Sequence, residues 1–469
     1  MRVLFVTPEC APLTKTGGLG DVAAALPAAL RAQGNDVRVL LPRYREIDAS
    51  GAEERARMRL LGMEARLLEK SDCLLVEQPE LYDRDGGPYQ DAAGADWADN
   101  ALRFGVLSRA AALLASSASP LAWRPEILHC NDWPTALAPV YLHFEPLRAG
   151  AVMTVHNLAY QGLFDAALLE RMELPPATFA IEGLEFYGRL SFLKGGLVYS
   201  DAISTVSPTY AREIQTEEFG CGLEGVLRER RGVLRGILNG IDGELWNPMT
   251  DAHLAERYSW TSLERKAPNK AALQRRLNLV EEPATPLLGV VSRFAHQKGI
   301  DLLAGAVDEL VQLGAQLCVL GRGERDYEAA LAAAAARHPG RVACAVGFNE
   351  ELAHLIEAGA DMFLMPSRYE PCGLNQMYSQ RYGTLPVVRA TGGLVDSVED
   401  FAPAAGTGTG FVFNDATAAA LLQAVRSALE VRGNAAQWLR IQRNGMARDF
   451  GWNASAARYL EIYTAVAQR

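Results

Sequence analysis

Residues 3–22 read V-L-F-V-T-P-E-C-A-P-L-T-K-T-G-G-L-G-D-V. The apolar run at residues 3–6 predicts a strand, the glycine pair at 17–18 predicts a loop, and the residues after it predict a helix. Glycines let a backbone approach a bound phosphate, and a helix N-terminus offers N–H groups to it. Lys15 adds a positive charge to the same loop. The segment therefore predicts either a phosphate site or a turn that only packs a helix on a strand.

The same order of strand, loop and helix recurs along the chain. Short β-rich runs alternate with Ala- and Leu-rich stretches, and the pattern begins again near residue 286. The predicted strands include residues 37–41, 127–130, 152–156 and 202–206 in the first half, and 286–291, 316–320, 342–346, 362–365 and 385–389 in the second. Such alternation is typical of α/β proteins in which crossover helices join parallel strands.

A stretch of poor periodicity separates the two halves. Residues 239–269 contain several glycines and prolines, so we place the domain boundary there. The length of 469 residues exceeds one core and fits two doubly wound, Rossmann-like domains. We assign residues 1–245 to the first domain and residues 246–453 to the second. Open parallel sheets bind ligands beyond the carboxyl ends of their strands, so we expect both sets of strand ends to face one cleft.

Charge and composition argue against several protein classes. The chain has 46 Lys and Arg against 56 Asp and Glu, a net charge of −10 that disfavours a nucleic-acid partner. No stretch reaches the roughly 18 apolar residues of a membrane span, and a strand that begins near Arg2 leaves no room for a signal peptide. The seven cysteines form no C-x-x-C pair, which indicates thiols in a reducing compartment. We therefore expect a cytoplasmic protein without membrane contact.

Two segments of the second half carry candidate catalytic groups. Arg293 and Lys298 lie five residues apart in S-R-F-A-H-Q-K-G at 292–299, where they can converge on one anion. A diphosphate leaving group needs its developing negative charge neutralised more than it needs a proton. Glu370 lies in P-S-R-Y-E-P-C-G-L-N at 366–375, where a carboxylate can accept sugar hydroxyls or stabilise developing positive charge. The alternative for each segment is a solvated surface loop.

Three further features follow predicted strands. The T-G-G-L at 391–394 repeats that of the first loop, so we expect glycine pairs at equivalent places of both halves, in contact with one ligand. His156 and Asn157 end another strand, and their imidazole and amide groups can bind sugar hydroxyls, although a structural histidine is the alternative. We interpret Cys372 as a packing residue rather than a nucleophile, because no histidine is near it in sequence.

Two motifs resemble sequences that bind metal ions. His129 and Asp132 have a suitable spacing, but no third ligand accompanies them. Asp83 and Asp85 form a D-x-D triplet in a loop rich in glycine and proline, and such triplets are frequent by chance. We therefore expect no metal site.

Taken together, the motifs resemble those of the bacterial glycogen synthases and plant starch synthases, which transfer glucose from ADP-glucose to an α-1,4-glucan. The likeness extends over essentially the whole chain. The matching motifs are K-T-G-G-L at 15–19, T-V-H-N-L-A-Y-Q-G at 154–162, S-F-L-K-G at 191–195, T-V-S-P-T-Y-A-R-E-I at 205–214, N-G-I-D at 239–242, S-R-x-x-x-Q-K-G at 292–299, E-P-C-G-L at 370–374 and T-G-G-L at 391–394.

The resemblance implies a GT-B fold, in which two Rossmann-like domains face a deep inter-domain cleft and helix 454–469 joins the first domain. It implies a glycosyltransferase that retains the configuration of the sugar, uses no metal or other cofactor and releases ADP. The implied partners are ADP-glucose and glycogen or another α-1,4-glucan. Domain closure would exclude water and bring Lys15 toward Arg293 and Lys298.

The resemblance also implies a role for each matching residue. The residues implied in catalysis are Glu370, His156, Arg293 and Lys298. Those implied in binding ADP-glucose are Lys15, Gly17, Gly18, Cys372, Gly373, Leu374 and Thr391. Those implied on the acceptor side are Asp21, Asp132, Asn157 and Asn239. The chain departs from the family pattern at Gly20, where alanine is commoner, and around C-N-D-W-P at 130–134, which leaves the acceptor contacts open.

Two alternatives remain open at the level of sequence. One is a GT-B transferase with another donor or acceptor, for example UDP-glucose. The other is a glucan-binding homologue without activity, and the presence of Lys15, Lys298 and Glu370 argues against it.

Overall fold

The computed structural model describes residues 1–468 and divides into two compact units. The N-terminal unit comprises Met1–Gly240 together with the returning residues 452–468, and the C-terminal unit comprises Ile241–Gly451. Each unit contains its own parallel sheet. The α/β class with two parallel-sheet domains, which the sequence predicts, is confirmed.

The strands alternate with helices through most of both units. The strands are β1 (Arg2–Val6), β2 (Asp36–Pro42), β3 (Glu53–Leu60), β4 (Met63–Lys70), β5 (Cys73–Glu77), β6 (Ile127–Asn131), β7 (Gly150–Val155), β8 (Leu163–Asp165), β9 (Glu185–Phe186), β10 (Arg189–Ser191), β11 (Ala202–Thr205), β12 (Leu234–Gly236), β13 (Leu287–Phe294), β14 (Gln316–Gly323), β15 (Val342–Val346), β16 (Met362–Met365), β17 (Leu385–Arg389) and β18 (Phe411–Phe413).

The α-helices connect and cover these strands. They are α1 (Gly18–Ala32), α2 (Pro79–Tyr82), α3 (Asn100–Leu114), α4 (Leu137–His143), α5 (Leu168–Arg171), α6 (Phe192–Tyr199), α7 (Pro208–Glu213), α8 (Glu224–Glu229), α9 (Ala267–Arg276), α10 (Ile300–Gln312), α11 (Arg325–Arg337), α12 (Glu350–Gly359), α13 (Asn375–Arg381), α14 (Gly392–Ser397), α15 (Ala418–Arg432), α16 (Ala435–Met446) and α17 (Trp452–Ala467). No helix within residues 1–468 combines the length and the apolar character that a membrane crossing requires.

The large sheet of the N-terminal unit has the order β12-β11-β7-β6-β1-β2-β5-β4-β3. Its strands are parallel from β12 to β5, and the pair β3 and β4 adds an antiparallel edge. The direction of winding reverses between β1 and β6, where Val3 pairs with Ile127. Such a reversal leaves a crevice at the carboxyl edge of the sheet, where open α/β sheets bind their ligands.

The sheet of the C-terminal unit is entirely parallel and has the order β15-β14-β13-β16-β17-β18. Successive residues of a strand point to opposite faces. Accordingly, Leu317 and Val319 of β14 pack in one apolar cluster with α10 and α15, whereas Cys318 and Leu320 pack in a second cluster with α12. Helices therefore cover both faces, and the reversal of winding lies between β13 and β16.

The last helix, α17, is part of the N-terminal unit. Tyr463 of this helix places its hydroxyl 2.7 Å from Nδ1 of the fully buried His129, and Ser455 donates a hydrogen bond to the carbonyl of Leu238. Residue 469, at which the predicted helix ends, lies outside the described residues.

The S-F-L-K-G motif has a structural role. Ser191 caps α6 by accepting a hydrogen bond from the backbone N–H of Lys194. The buried ammonium of Lys194 donates to the carbonyls of Ile181 and Glu185, at 2.6 and 2.5 Å. Lys194 thereby fixes the base of the small antiparallel sheet β8-β10-β9.

Candidate active site

The candidate catalytic groups of the C-terminal unit lie at the reversal of its sheet. Arg293 and Lys298 follow β13, and Glu370 follows β16, the neighbouring strand. The prediction that Arg293 lies in a loop is wrong by a few residues, because β13 continues to Phe294. Arg293 nevertheless lies at the carboxyl end of its strand, where a ligand of this fold class is bound.

Lys298 and Glu370 form a short ion pair. The distance from Lys298 Nζ to Glu370 Oε2 is 2.5 Å, and the two side chains are 19% and 5% exposed. Ser367 donates a further hydrogen bond to the same carboxylate oxygen, at 3.0 Å. The structure thus brings together a cation and a carboxylate that are far apart in sequence, in a place of low solvent access that strengthens their electrostatic effect on a ligand.

Glycine at position 299 makes this contact possible. Gly299 has a φ of +66°, a left-handed conformation that other residues rarely adopt. A side chain there would also place its Cβ 2.0 Å from the carbonyl oxygen of Pro366. The close approach of Gly299 to Pro366 joins the segment of Lys298 to the segment of Glu370.

Arg293 supplies a second cation near this pair. Its side chain is exposed, and its Nη2 lies 3.3 Å from Gln297 Oε1. Gln297 in turn donates to the backbone carbonyl of Tyr369, at 3.3 Å. Arg293 is therefore linked through one glutamine to the loop that carries Glu370.

Cys372, Gly373 and Leu374 continue that loop to the start of α13. Cys372 is 6% exposed, and Gly373 has a φ of +70° that turns the chain into the helix. The geometry of Gly373, rather than any thiol, shapes the turn.

The second T-G-G-L segment braces the Glu370 loop. Thr391 is buried, and the N–H of Gly393 donates to the carbonyl of Glu370 at 3.0 Å. A Cβ on Gly392 would lie 1.9 Å from that carbonyl oxygen, and one on Gly393 would lie 2.1 Å from the carbonyl oxygen of Cys372. These glycines are needed for close backbone packing.

The prediction that the two T-G-G-L segments occupy equivalent places is wrong. The first follows β1, at the reversal of its sheet, whereas the second follows β17, one strand beyond the reversal. Gly17 has no atom within 4 Å of an added Cβ, and Gly18 is exposed, whereas Gly392 and Gly393 are buried. The same T-G-G-L motif therefore forms an open loop in the N-terminal unit and a closely packed loop in the C-terminal unit.

The first glycine loop carries one feature that the sequence analysis missed. Oε2 of the buried Glu9 accepts hydrogen bonds from the N–H groups of Thr16 and Gly17, at 2.6 and 3.1 Å. Its Oε1 accepts one from the hydroxyl of Tyr89, at 2.7 Å. Burial raises the pKa of Glu9. A carboxyl group of the chain itself thus occupies two of the N–H groups that were expected to receive a phosphate, and its position between β1 and the glycines was the available signal.

Lys15 is also paired within its own loop. Its Nζ lies 2.8 Å from Oδ1 of Asp21, and the two side chains are 40% and 33% exposed. Exposed pairs of this kind contribute little stability and exchange partners readily. Lys15 can therefore leave Asp21 for an anion of higher charge.

Asp132, His156 and Asn157 lie together beyond β6 and β7. Asp132 has a φ of +55°, and its Oδ1 accepts the N–H of His156 at 2.7 Å. Burial raises the pKa of Asp132 to about 7. Asn131, which the sequence analysis did not select, donates to the carbonyl of Val6 and places its Oδ1 2.9 Å from Nε2 of His156.

His156 is a neutral group in this arrangement. Burial lowers its pKa to about 3. Because the amide nitrogen of Asn131 is used by Val6, the Oδ1 of Asn131 accepts from Nε2 of His156 and leaves Nδ1 without that proton. A neutral imidazole beside amide and carboxyl groups is suited to hydrogen bonds with hydroxyls rather than to charge neutralisation.

Asn239 is buried near the end of the N-terminal unit's first segment. It is 6% exposed, and within the described residues its Oδ1 accepts no hydrogen bond. An unsatisfied buried acceptor is costly, so a group that donates to it is expected from a ligand or water.

The two motifs with metal-ligand spacing have other partners. His129 places its ring nitrogens 2.7 Å from Tyr463 Oη and 2.6 Å from Thr154 Oγ1. Asp83 and Asp85 both pair with Arg45, at 2.8 and 2.6 Å. Across residues 1–468, no three His, Cys, Asp or Glu side chains are grouped so that they could hold a metal ion.

Comparison with known proteins identifies the family. Residues 2–229 match the family described as starch synthase catalytic domain, and residues 274–444 match glycosyl transferases group 1. The glycogen synthase of Aromatoleum aromaticum is 55% identical over 99% of this chain and 97% of that protein. Glycogen synthase 1 of Methylococcus capsulatus is 50% identical over 99% of this chain and 96% of that protein.

Solved structures agree with the sequence relatives. The catalytic domain of starch synthase IV from Arabidopsis thaliana, bound to ADP and acarbose, has a TM-score of 0.89 and 32% identity, with 100% of this chain and 99% of that chain covered. Sucrose-phosphate synthase from Thermosynechococcus elongatus has a TM-score of 0.62 and 18% identity over 99% and 98% of the two chains, a likeness of fold alone. The resemblance inferred from the motifs is thus confirmed. The chain belongs to the glycogen and starch synthase family of GT-B glycosyltransferases.

Proposed function

We propose that the chain transfers glucose from ADP-glucose to the non-reducing end of glycogen or another α-1,4-glucan, with retention of configuration and release of ADP. The observation that carries the proposal is the 2.5 Å pair of Lys298 and Glu370 beside Arg293, at the reversal of the C-terminal sheet. The Arabidopsis relative, bound to ADP and acarbose, supports this choice of nucleotide and of acceptor class.

Arg293 and Lys298 are the proposed cations for the diphosphate of the donor. Departure of ADP builds negative charge on the diphosphate, and fixed cations stabilise that charge without the transfer of a proton. A guanidinium can bind two phosphate oxygens at once, whereas an ammonium acts as a point charge. The exposed Arg293 is therefore suited to binding two phosphate oxygens, and the partly enclosed Lys298 is suited to acting as a fixed point charge.

Glu370 is the proposed carboxylate beside the transferred glucose. Glycosidases need two opposed carboxyl groups, one of them an acid for a poor leaving group. A nucleotide diphosphate is a good leaving group, so one carboxylate with several cations suffices. Arg368 binds both carboxylate oxygens of Asp301, at 2.6 and 2.7 Å, whereas Lys298 and Ser367 both bind Oε2 of Glu370. The other oxygen of Glu370 is the one proposed to face the sugar.

Contacts to the donor are further proposed for Lys15 and for the backbone of Gly17 and Gly18. Contacts to the glucose and the phosphates of the donor are also proposed for four residues of the C-terminal unit, which are Cys372, Gly373, Leu374 and Thr391. Because the N–H of Gly17 is held by Glu9, the proposal requires Lys15 to supply most of this loop's attraction for phosphate.

The acceptor side is proposed for the N-terminal domain. Asp132, His156 and Asn157, together with Asn239, offer neutral or weakly charged hydrogen-bonding groups, as a glucan requires. Asp21 adds a partly exposed carboxylate that can accept from hydroxyls. In this scheme residues 1–245 together with the chain from residue 454 onward form the acceptor domain, and residues 246–453 form the donor domain.

The proposal also assigns the reaction to the cytoplasm. All seven cysteines lie within the described residues, and none of them forms a disulfide bond, which suits a reducing compartment.

The test is direct. The purified chain is incubated with glycogen and either ADP-glucose or UDP-glucose, and released ADP or UDP is measured together with labelled glucose in the polymer. We expect ADP release that requires glycogen and that is lost in Glu370→Ala but kept in Glu399→Gln, a change at an exposed position of the same unit. Faster transfer from UDP-glucose would replace the proposed donor, and the absence of transfer from both would overturn the activity.

A further inference from the structure

Arg368 makes a two-pronged ion pair two residues before Glu370. Its Nη1 lies 2.6 Å from Oδ1 of Asp301, and its Nη2 lies 2.7 Å from Oδ2. Asp301 belongs to the first turn of α10, so the pair joins the Glu370 loop to that helix. Parallel hydrogen bonds of a guanidinium fork fix orientation as well as distance.

The other contacts of Arg368 reach the turn that carries Lys298. Nη1 of Arg368 donates to the carbonyl of His296 at 3.1 Å, and its backbone N–H donates to the carbonyl of Gln297 at 2.8 Å. His296 and Gln297 precede Lys298, and Asp301 follows it. The partners of Arg368 therefore enclose Lys298 on both sides along the chain.

The backbone around Arg368 is held from a third direction. Arg389, at the end of β17, donates through Nε to the carbonyl of Ser367 at 2.9 Å and through Nη2 to the carbonyl of Arg368. The hydroxyl of Ser367 contacts the carboxylate of Glu370. A shift of Arg368 would therefore be transmitted both to Glu370 and to the turn of Lys298.

We propose that Arg368 is a positioning residue, which through its fork to Asp301 sets the separation of Lys298 and Glu370. The inference rests on the proposed function, because it takes these two groups to act on the donor. The guanidinium is committed to Asp301, whose pKa it lowers, so it neutralises a carboxylate of this chain rather than the diphosphate. Arg368 acts on the reaction through Lys298 and Glu370 and touches no reacting atom.

Lysine cannot replace this arginine. An ammonium at position 368 would keep the positive charge, but it would lose the planar fork that reaches Asp301 and the carbonyl of His296 together. Asp301→Asn removes the charge of the partner and leaves its size. The two variants thus test the same pair from its two sides.

The experiment uses the full-length chain with glycogen and ADP-glucose. The variants are Arg368→Lys, Asp301→Asn and the double variant. The matched control is Arg426→Lys. Arg426 makes a single exposed contact of 3.2 Å with Glu309, which lies on α10, the helix that also carries Asp301. Measured quantities are kcat, KM for ADP-glucose, the inhibition constant of ADP and the melting temperature.

A misplaced pair should slow the chemical step more than it weakens nucleotide binding. We expect kcat to fall about tenfold to a hundredfold in each single variant, because small displacements of catalytic groups have such effects. KM for ADP-glucose and the inhibition constant of ADP, to which Lys298 also contributes in the proposed function, should change by less than kcat and to the same extent in both single variants. Because both changes break one interaction, the double variant should lose no more than the worse single variant.

Three results would overturn the inference. Weaker inhibition by ADP in Arg368→Lys than in Asp301→Asn would make Arg368 a direct ligand of the nucleotide. Losses that add in the double variant would mean that the two residues act separately. A kcat like that of Arg426→Lys, or a loss that only follows a lower melting temperature, would leave Arg368 a structural residue. If the parent chain itself transfers no glucose, the proposed function fails instead.

Discussion

Lys298 and Glu370 are 72 residues apart in the chain, yet Nζ of one lies 2.5 Å from Oε2 of the other. Their contact joins the segments that follow β13 and β16, the strands between which the winding of the C-terminal sheet reverses. Fixed opposite charges at this place can stabilise both the positive charge that develops on a departing sugar and the negative charge of its leaving group.

Glu370→Ala should abolish transfer and leave the fold intact. Loss of a preorganised charge that acts in the transition state lowers turnover by about a hundredfold to a thousandfold or more. Glycogen-dependent release of ADP measures the activity, and circular dichroism measures the fold. The isosteric Glu370→Gln should be comparably impaired, because it keeps a hydrogen bond to Lys298 but not the charge. Near-parent turnover of pure Glu370→Ala would remove Glu370 from the site.

Lys15→Ala should weaken the binding of the donor ADP-glucose and leave the stability of the fold nearly unchanged. The pair of Lys15 with Asp21 is partly exposed, so its loss should change the free energy of unfolding by less than about 1 kcal/mol. KM for ADP-glucose should rise about tenfold or more, as expected for the loss of a hydrogen bond to a charged group. Steady-state kinetics at saturating glycogen provide the measurement.

The matched control for Lys15 is Lys70→Ala. Lys70 also forms one exposed ion pair, with Asp48 at 3.3 Å, but it lies on β4, three strands away from β1 and next to the edge strand of the sheet. Equal effects of the two substitutions on KM would show that Lys15 acts only through general surface charge.

Alanine should affect the two T-G-G-L segments differently. In Gly393→Ala the new Cβ would lie 2.1 Å from the carbonyl oxygen of Cys372, so we expect a loss of about 1–3 kcal/mol and a fall in kcat as the Glu370 loop moves. In Gly17→Ala the new methyl group meets no atom within 4 Å, and the loss should stay below about 1 kcal/mol. Urea denaturation and kcat of both variants provide the comparison, and equal instability would contradict it.

The stability of the N-terminal unit should depend on pH through two histidines. Burial lowers the pKa of His129 and of His156 to about 3, from 6.5. Their stabilisation is therefore fully present above pH 6.5 and is lost as the pH falls through 3, because the unfolded chain takes up protons that the folded one refuses. Each contributes a slope of at most about 1.4 kcal/mol per pH unit.

Asp132 opposes this trend. Burial raises its pKa from 3.8 to about 7, so its contribution is present below pH 3.8 and is lost as the pH rises through 7. Between about pH 4.5 and 5.5 the three groups together take up about one proton on unfolding, and their combined contribution to the free energy of unfolding should rise with pH.

Urea denaturation between pH 4.5 and 6.5 measures that slope. His129→Gln removes one of the two histidines and should lower the slope by about 1.4 kcal/mol per pH unit at the acid end of this range. His143→Gln, at an exposed position of the same unit, should leave the slope unchanged. An unchanged slope in His129→Gln would mean that this histidine is not neutral in the folded protein.

Local sequence was sufficient where local chemistry decides the structure. The strands predicted at 342–346, 362–365 and 385–389 have those bounds, because β-branched and apolar runs flanked by polar or glycine residues specify a buried strand. The charged groups after 291 and 365 were identified for the same reason, since the ends of such runs mark the carboxyl edge of the sheet.

Features that depend on distant partners escaped the sequence analysis. The fork of Arg368 and Asp301 and the bond of Asn131 to His156 join residues that are 67 and 25 positions apart in the chain. Glu9 is close to Gly17 in sequence, but only the folded course of their common loop brings its carboxylate to the backbone N–H groups. The repeated T-G-G-L motif led to a wrong prediction of equivalent positions, because a motif of four residues does not specify which other segments pack against it.

The sequence by itself determined the alternation of strands and helices, the two-domain organisation and the kinds of charged group at the strand ends, because these follow from periodicity and residue type along a short stretch. Only the tertiary structure decided the order of the strands, and with it which strand ends are neighbours. That order depends on the packing of helices on both faces of each sheet, an interaction among segments far apart in the chain. It is this order that places β13 beside β16 and thereby brings Lys298 to Glu370.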